Sequence, residues 1–158
     1  MEYLNLYDID GNLQTEKGIR GEKTDYYKGI IMIFIENNNG EFLIQKTSSH
    51  RGNIFATTGG HVSYGSTFKE TVIKEVNEEL GIDISNEEIK EVYTHIWEHY
   101  FQKVYYLKKD ININELIIQE DEVQYVEWMS KEKINKLIED GLFREGNIEG
   151  YLYIINNI

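Results

Sequence analysis

The chain has 158 residues, a formal net charge of −12, no cysteine and no proline. Its 41% hydrophobic content is enough for one domain with its own core, and the missing cysteines exclude disulfides, thiolate zinc sites and a cysteine nucleophile. The acidic balance, with only scattered cations such as Lys103 and Lys108–Lys109, argues against polymeric nucleic acid and anionic membranes as partners.

Residues 1–25 read as an N-terminal hairpin or arm of a single domain spanning 1–158, turned by Asp8-Ile9-Asp10-Gly11-Asn12. Tyr26 to Glu36 is rich in Ile, Phe and Tyr and predicts a buried strand. Asn37-Asn38-Asn39-Gly40 should turn it into a second hairpin with Glu41 to Lys46. Thr47 to Phe55 lacks periodicity and reads as a loop, and Ala56 to Val62 as a short strand. The longest apolar runs, such as Ile30 to Ile35, are too short to cross a bilayer. With no N-terminal signal pattern, cytoplasmic residence is the expectation.

The next segment, Gly59 to Ile82, carries the most information. Thr67 and Glu70 form a Thr-x-x-Glu capping box. Phe68, Val72, Val76 and Leu80 recur every four residues on one helical face, and Gly81 stops the helix. Glu75, Glu78 and Glu79, at i, i+3 and i+4, share another face, where like charges repel. A hard cation with oxygen ligands would remove that repulsion; the other reading is a solvated acidic face. The glycine pair Gly59-Gly60, at a fixed distance before the acids, favours the cation.

Further along, Glu91 to Tyr106 predicts two aromatic-rich strands with a bend near Glu98 to Phe101, and Val123 to Trp128 a further strand. Ser130 caps a helix from Lys131 to about Glu139. Tyr151 to Ile155 reads equally as helix or strand.

Read from Gly60, the segment resembles the Nudix box, G-x5-E-x7-R-E-U-x-E-E-x-G-U with U aliphatic. Lys74-Glu75-Val76-Asn77-Glu78-Glu79-Leu80-Gly81-Ile82 stands in register, with Ser66 in place of the first Glu and Lys74 in place of Arg. The resemblance implies an α/β/α sandwich with a mixed sheet, of the α/β class. It also implies Mg²⁺-dependent (or Mn²⁺-dependent) hydrolysis of a diphosphate linkage in a nucleoside diphosphate joined to another group. Glu75, Glu78 and Glu79 would be metal ligands, with a backbone carbonyl of Gly59 or Gly60, where glycine permits close approach. Lys74 would orient Glu75, though a lysine cannot fork bidentately as arginine does; a Glu70–Lys74 bridge competes for it. Glu120 and Glu122, before a late strand, are candidates for the general base. Arg51, Phe55, Tyr27 and Trp97 are candidates for substrate contact, through phosphate pairing or stacking. His61 could face the site or simply bond to the backbone.

The expected partner is a small phosphorylated molecule, and the resemblance is compatible with a homodimer. The succession of N-terminal motifs, from Tyr3–Asp8 and Arg20-Gly21 to Asn39–Lys46 and Gly60–Ser63, is further similar to Nudix proteins related to isopentenyl-diphosphate isomerase. That isomerisation depends on a cysteine, which this chain lacks, and on histidines absent from Tyr26 to Phe34. Hydrolysis is therefore the preferred reading. The alternative is a catalytically weak domain that binds a nucleotide or a partner, with Ser66 as the eroded position.

Overall fold

A computed structural model describes residues 1–158. Asp8 shapes the first turn by accepting from the backbone N–H groups of Asp10 and Asn12, so strands β1 (Tyr3–Tyr7) and β2 (Leu13–Ile19) pair antiparallel. This hairpin is joined to the sheet. Leu6 and Tyr7 pair with Lys28 and Tyr27 of β3 (Tyr27–Glu36), and Leu4 and Leu6 are buried.

Strand β3 is the spine. Along one edge it pairs parallel with β8 (Tyr100–Lys108) from Lys28↔Tyr100 to Glu36↔Lys108. Along the other it meets β1, then β6 (Thr58–His61), whose residues pair antiparallel with Ile30–Ile33. The hairpin expected between β3 and β4 (Phe42–Thr47) closes only at Glu36↔Phe42. Because β6 occupies the edge beyond, β4 turns away to pair with β5 (Phe55–Ala56) and β9 (Val123–Met129). Strand β7 (Lys90–Trp97) pairs antiparallel with β8 through a tight turn in which Glu98 takes φ +53°.

The alternation of β3 divides the core in two. Ile31, Ile33 and Ile35 pack with Val72, Val76 and Leu80 of helix α1 (Phe68–Leu80). Met32 and Phe34, on the opposite face, pack with Ile134 and Leu137 of α2 (Lys131–Glu139) and Tyr151 and Ile154 of α3 (Glu145–Asn157). The result is an α/β/α sandwich around a mixed sheet.

Local signals explain α1 and α2. Thr67 Oγ1 accepts from Glu70 N at 3.0 Å while Glu70 Oε1 accepts from Thr67 N at 3.1 Å, and Gly81 ends α1 at φ +72°. Ser130 caps α2 through Lys133 N. The terminal segment, open between helix and strand in the sequence, is helical from Glu145. No helix is long and apolar enough to cross a membrane.

Candidate active site

Two elements meet at the glycine pair. Gly60 lies opposite Ile31 on β3 and faces α1. A Cβ there would stand 2.6 Å from Glu75 Oε1, and one on Gly59 would stand 2.5 Å from the Ile31 carbonyl oxygen. Neither position has room for a side chain, so the Glu75 carboxyl rests directly on the backbone of β6.

Glu79, one turn further along α1, is 2% exposed. Its Oε1 accepts from Gln45 Nε2 of β4 at 3.0 Å. Burial and the neighbouring Glu75 push its pKa up to about 8. Burial raises Glu75 as well, partly countered by its hydrogen bond with Glu79. The two carboxyl groups thus form a desolvated pair, stabilised by keeping a proton between them.

Glu78 stands apart. Its side chain is about half exposed, and its charged neighbour is Lys74, at 3.9 Å. No three His, Cys, Asp or Glu side chains are gathered for a metal ion. Of the three expected ligands, Glu75 and Glu79 lie in contact and Glu78 stands at the exposed edge of the same helix. The donor chemistry nevertheless fits a hard divalent cation, since carboxylate and carbonyl oxygens are its ordinary ligands. The place at Gly60 that a Cβ would fill puts Glu75 against the strand backbone.

Lys74 pairs with Glu78 rather than Glu70, because Glu70 is occupied in the capping box. Ser66, at the departure from the box pattern, lies in the turn ahead of α1; its carbonyl accepts from Asn5 Nδ2 at 2.8 Å.

Across β6, on the α3 side of the sheet, lies a cleft of about 130 Å³. Ile30 and Met32 form its floor, and Gly59, Gly60, His61, Trp97 and Gln102 its walls. Arg51, Arg144, Gly146 and Asn147 also line it. Arg51 sits on a 3-10 turn, Ser49–Arg51, with its guanidinium on the Glu122 carboxylate. Its carbonyl accepts from Arg144 Nη2 at 2.7 Å. The charge of Arg51 reaches both sides of β6, opposing the rise in Glu75 and Glu79 and helping to lower His61. Burial is the main cause of the His61 shift, to about 4, so that imidazole is neutral near pH 7.

The structure thus brings Gly59, Gly60, Arg51 and Trp97 to one cleft, with Glu75 and Glu79 behind its β6 wall. Tyr27 does not line it, because alternation along β3 turns Tyr27 away from the face of Ile30 and Met32. Phe55 does not line it either; its ring packs against Tyr125 and beneath Lys46 Nζ, 4.5 Å from the centroid. Glu122 anchors Arg51, and Glu120 is exposed. Their loop is tethered to the end of α1 by Gln119 N donating to Glu79 O at 3.1 Å.

Sequence reasoning missed Gln45, Gln102, Arg144 and Asn147. The last two depend on where α3 starts. Gly146 and Gly150, four apart, were the available signal: a Cβ on Gly146 would stand 3.1 Å from Trp97 and one on Gly150 2.8 Å from Met32 Sδ, so this turn of helix lies close on the sheet.

A family model described as the NUDIX domain matches residues 26–148. An uncharacterized Nudix hydrolase of Listeria innocua is 30% identical over 151 residues, covering 90% of this chain and 88% of that protein. The NAD-capped RNA hydrolase NudC of Pseudomonas aeruginosa is 24% identical over 106 residues, covering 67% of this chain but only 37% of that protein. Among solved structures, the protein DR0079 of Deinococcus radiodurans superposes with a TM-score of 0.82 at 20% identity, over 99% of this chain and 100% of its own.

Proposed function

Since this chain belongs to the Nudix family of hydrolases, we propose that it hydrolyses the diphosphate linkage of a nucleoside diphosphate joined to another group, with Mg²⁺ or Mn²⁺. The observation that carries the reading is the Glu75–Glu79 pair set against Gly60, a pair of buried acids with its natural counter-charge left to be supplied. Glu75 and Glu79, joined by Glu78 and a glycine carbonyl of β6, would hold the cation. A bound divalent ion supplies charge neutralisation at the phosphoryl oxygens and a more acidic water.

The chain's own residues do the rest. Gln45 fixes the Glu79 carboxyl, and Lys74 holds Glu78 at the exposed end of the acidic row. Arg51, held between Glu122 and Arg144, presents a cation to the substrate's phosphates. Glu122 being engaged there, Glu120 is the freer candidate to take a proton from water. Trp97 offers a stacking surface for the organic part.

NudC relatives act on NAD-capped RNA. For this chain the net charge of −12 favours a free small molecule over a polynucleotide, whose phosphates it would repel. The finer kinship to isopentenyl-diphosphate isomerase relatives rests on short N-terminal motifs. Isomerisation itself is not proposed, as the chain has no cysteine.

The test is phosphate, pyrophosphate and nucleotide release across a nucleoside-diphosphate panel with Mg²⁺, beside Glu75→Gln and Glu78→Gln. Turnover by the parent and its loss in Glu75→Gln are expected. A parent that binds nucleotides yet turns over none of the panel would instead be a binding domain.

A further inference from the structure

The chain carries a second, larger cavity that the catalytic reading leaves unused. About 400 Å³ in volume, it is walled by Gly21–Thr24, Lys28, His99 and Tyr100. In a molecule with net charge −12, two of these seven wall residues are lysines and one is histidine; the opposing charge is Glu22.

Lys28 is the unusual member. It is 8% exposed, yet the partner of its Nζ is a backbone carbonyl, that of Glu22, at 2.6 Å. No carboxylate lies within ion-pair distance of Lys28 or Lys23, although seven lysine or arginine pairs with carboxylates form elsewhere. The ammonium, part-buried against one neutral acceptor, has unused donors toward the cavity and no carboxylate in ion-pair contact. An anion entering the cavity supplies both acceptors and counter-charge.

The cavity's place in the sheet says where that anion comes from. Lys28, Ile30 and Met32 alternate onto one face of β3. Ile30 and Met32 floor the candidate active-site cleft, so Lys28 stands about 7 Å along the same face. Tyr100, beside Lys28 in the register, is stacked on Trp97 and edge-on to His61. One ring thus separates the two cavities. The Lys28 amide donates to the His99 carbonyl at 3.0 Å, which brings His99 to the same rim.

We propose that this cavity is an anion subsite that takes a phosphate-class group at the end of the substrate remote from the cleaved diphosphate. The substrates of this enzyme are then diphosphate esters whose organic part carries a further phosphomonoester. The inference rests on the hydrolase reading for its substrate, but binding can be tested without turnover.

Inorganic phosphate titrated into the metal-free protein, followed by amide chemical shifts, is the direct probe. Saturable shifts at Gly21–Thr24 and His99–Tyr100 are expected, and their loss in Lys28→Met. Lys23→Ala, at an exposed position, serves should the buried substitution not fold, with affinity lowered about tenfold for one charge-assisted contact. Shifts absent from the parent, or unchanged in both variants, overturn the subsite.

Calorimetric binding of coenzyme A against dephospho-coenzyme A, and of NADP against NAD, then distinguishes a substrate's own phosphate from free phosphate. The phosphate-bearing member should bind more tightly, with the preference collapsing in the variants. Equal binding within both pairs would leave free phosphate as the occupant and overturn the substrate class. Failure to hydrolyse any diphosphate while these shifts persist would count against the hydrolase reading alone.

Discussion

At Glu79 the unfolded chain releases a proton near the ordinary carboxyl value of 4.5, while the folded protein keeps it up to about 8. Across that window the native state binds more protons than the unfolded one, so stability falls as pH rises and is fullest below 4.5. The loss is on the order of a few kcal/mol. Thermal melts of metal-free protein should show Tm declining between about pH 5 and about pH 8.5, and Glu79→Gln should flatten the decline. Mg²⁺ should raise Tm more at the alkaline end, where the carboxylates are free to bind it. A parent whose Tm is level across the range would contradict the shared-proton pair. Gly60 is the steric counterpart of this chemistry. In Gly60→Ala the new methyl would press on the Glu75 carboxyl, which should cost about 1–3 kcal/mol of stability and displace the acid, so metal-dependent turnover should fall further than the Tm shift explains. Retained turnover would show that Glu75 does not need its place against β6.

Helix α1 owes its ends to side chains within its own segment. Removing the cap in Thr67→Ala should cost about 1 kcal/mol, seen as a Tm drop of about 2–4 °C, with turnover well below the melt almost unaffected because Glu75 and Glu79 sit two turns or more from the cap. A much larger loss of turnover would mean that the turn holding Ser66 helps to place the acids. The same locality made α1 legible in the sequence: cap, fourfold apolar spacing and terminal glycine all lie between Thr67 and Gly81. The partner of β4 was not legible, since it follows from β6 having taken the edge of β3. The start of α3 escaped for another reason. Its N-cap residue, Arg144, makes no side-chain cap bond, and Gly146 and Gly150 weaken local helix propensity; packing on the sheet overrides both. Arg144 and Asn147 were hidden with that boundary. The box pattern put Glu75 and Gly60 at one site, and the two are in direct contact, but the pairing of Glu75 with Glu79, leaving Glu78 outside, depends on Gln45, distant in sequence and brought near by the sheet.

Taken whole, the molecule has net charge −12, yet the cations that lower the His61 pKa, after burial itself, are Arg20, Lys28 and Arg51. Arg20 and Arg51 are paired with Glu2 and Glu122, and Glu2 opposes the shift, so the positive charge near the cleft is partly offset and rests most on Lys28, while the surplus of acids repels itself over the rest of the surface. The two fields respond oppositely to salt. Screening the self-repulsion favours the compact state, so Tm should rise as ionic strength goes from about 0.01 M to about 0.15 M and the Debye length shrinks from about 30 Å to about 8 Å. Screening the local cations weakens attraction for an anion, so KM for a phosphorylated substrate should rise over the same range. At a fixed, saturating Mg²⁺ concentration, both can be read from one salt series by pairing melts with initial rates. If KM stayed level while Tm climbed, Arg20, Lys28 and Arg51 would contribute contacts at the site but no long-range attraction. Substrate capture would then depend on the neutralising cation alone, since the remaining field of the molecule opposes any anion that approaches it.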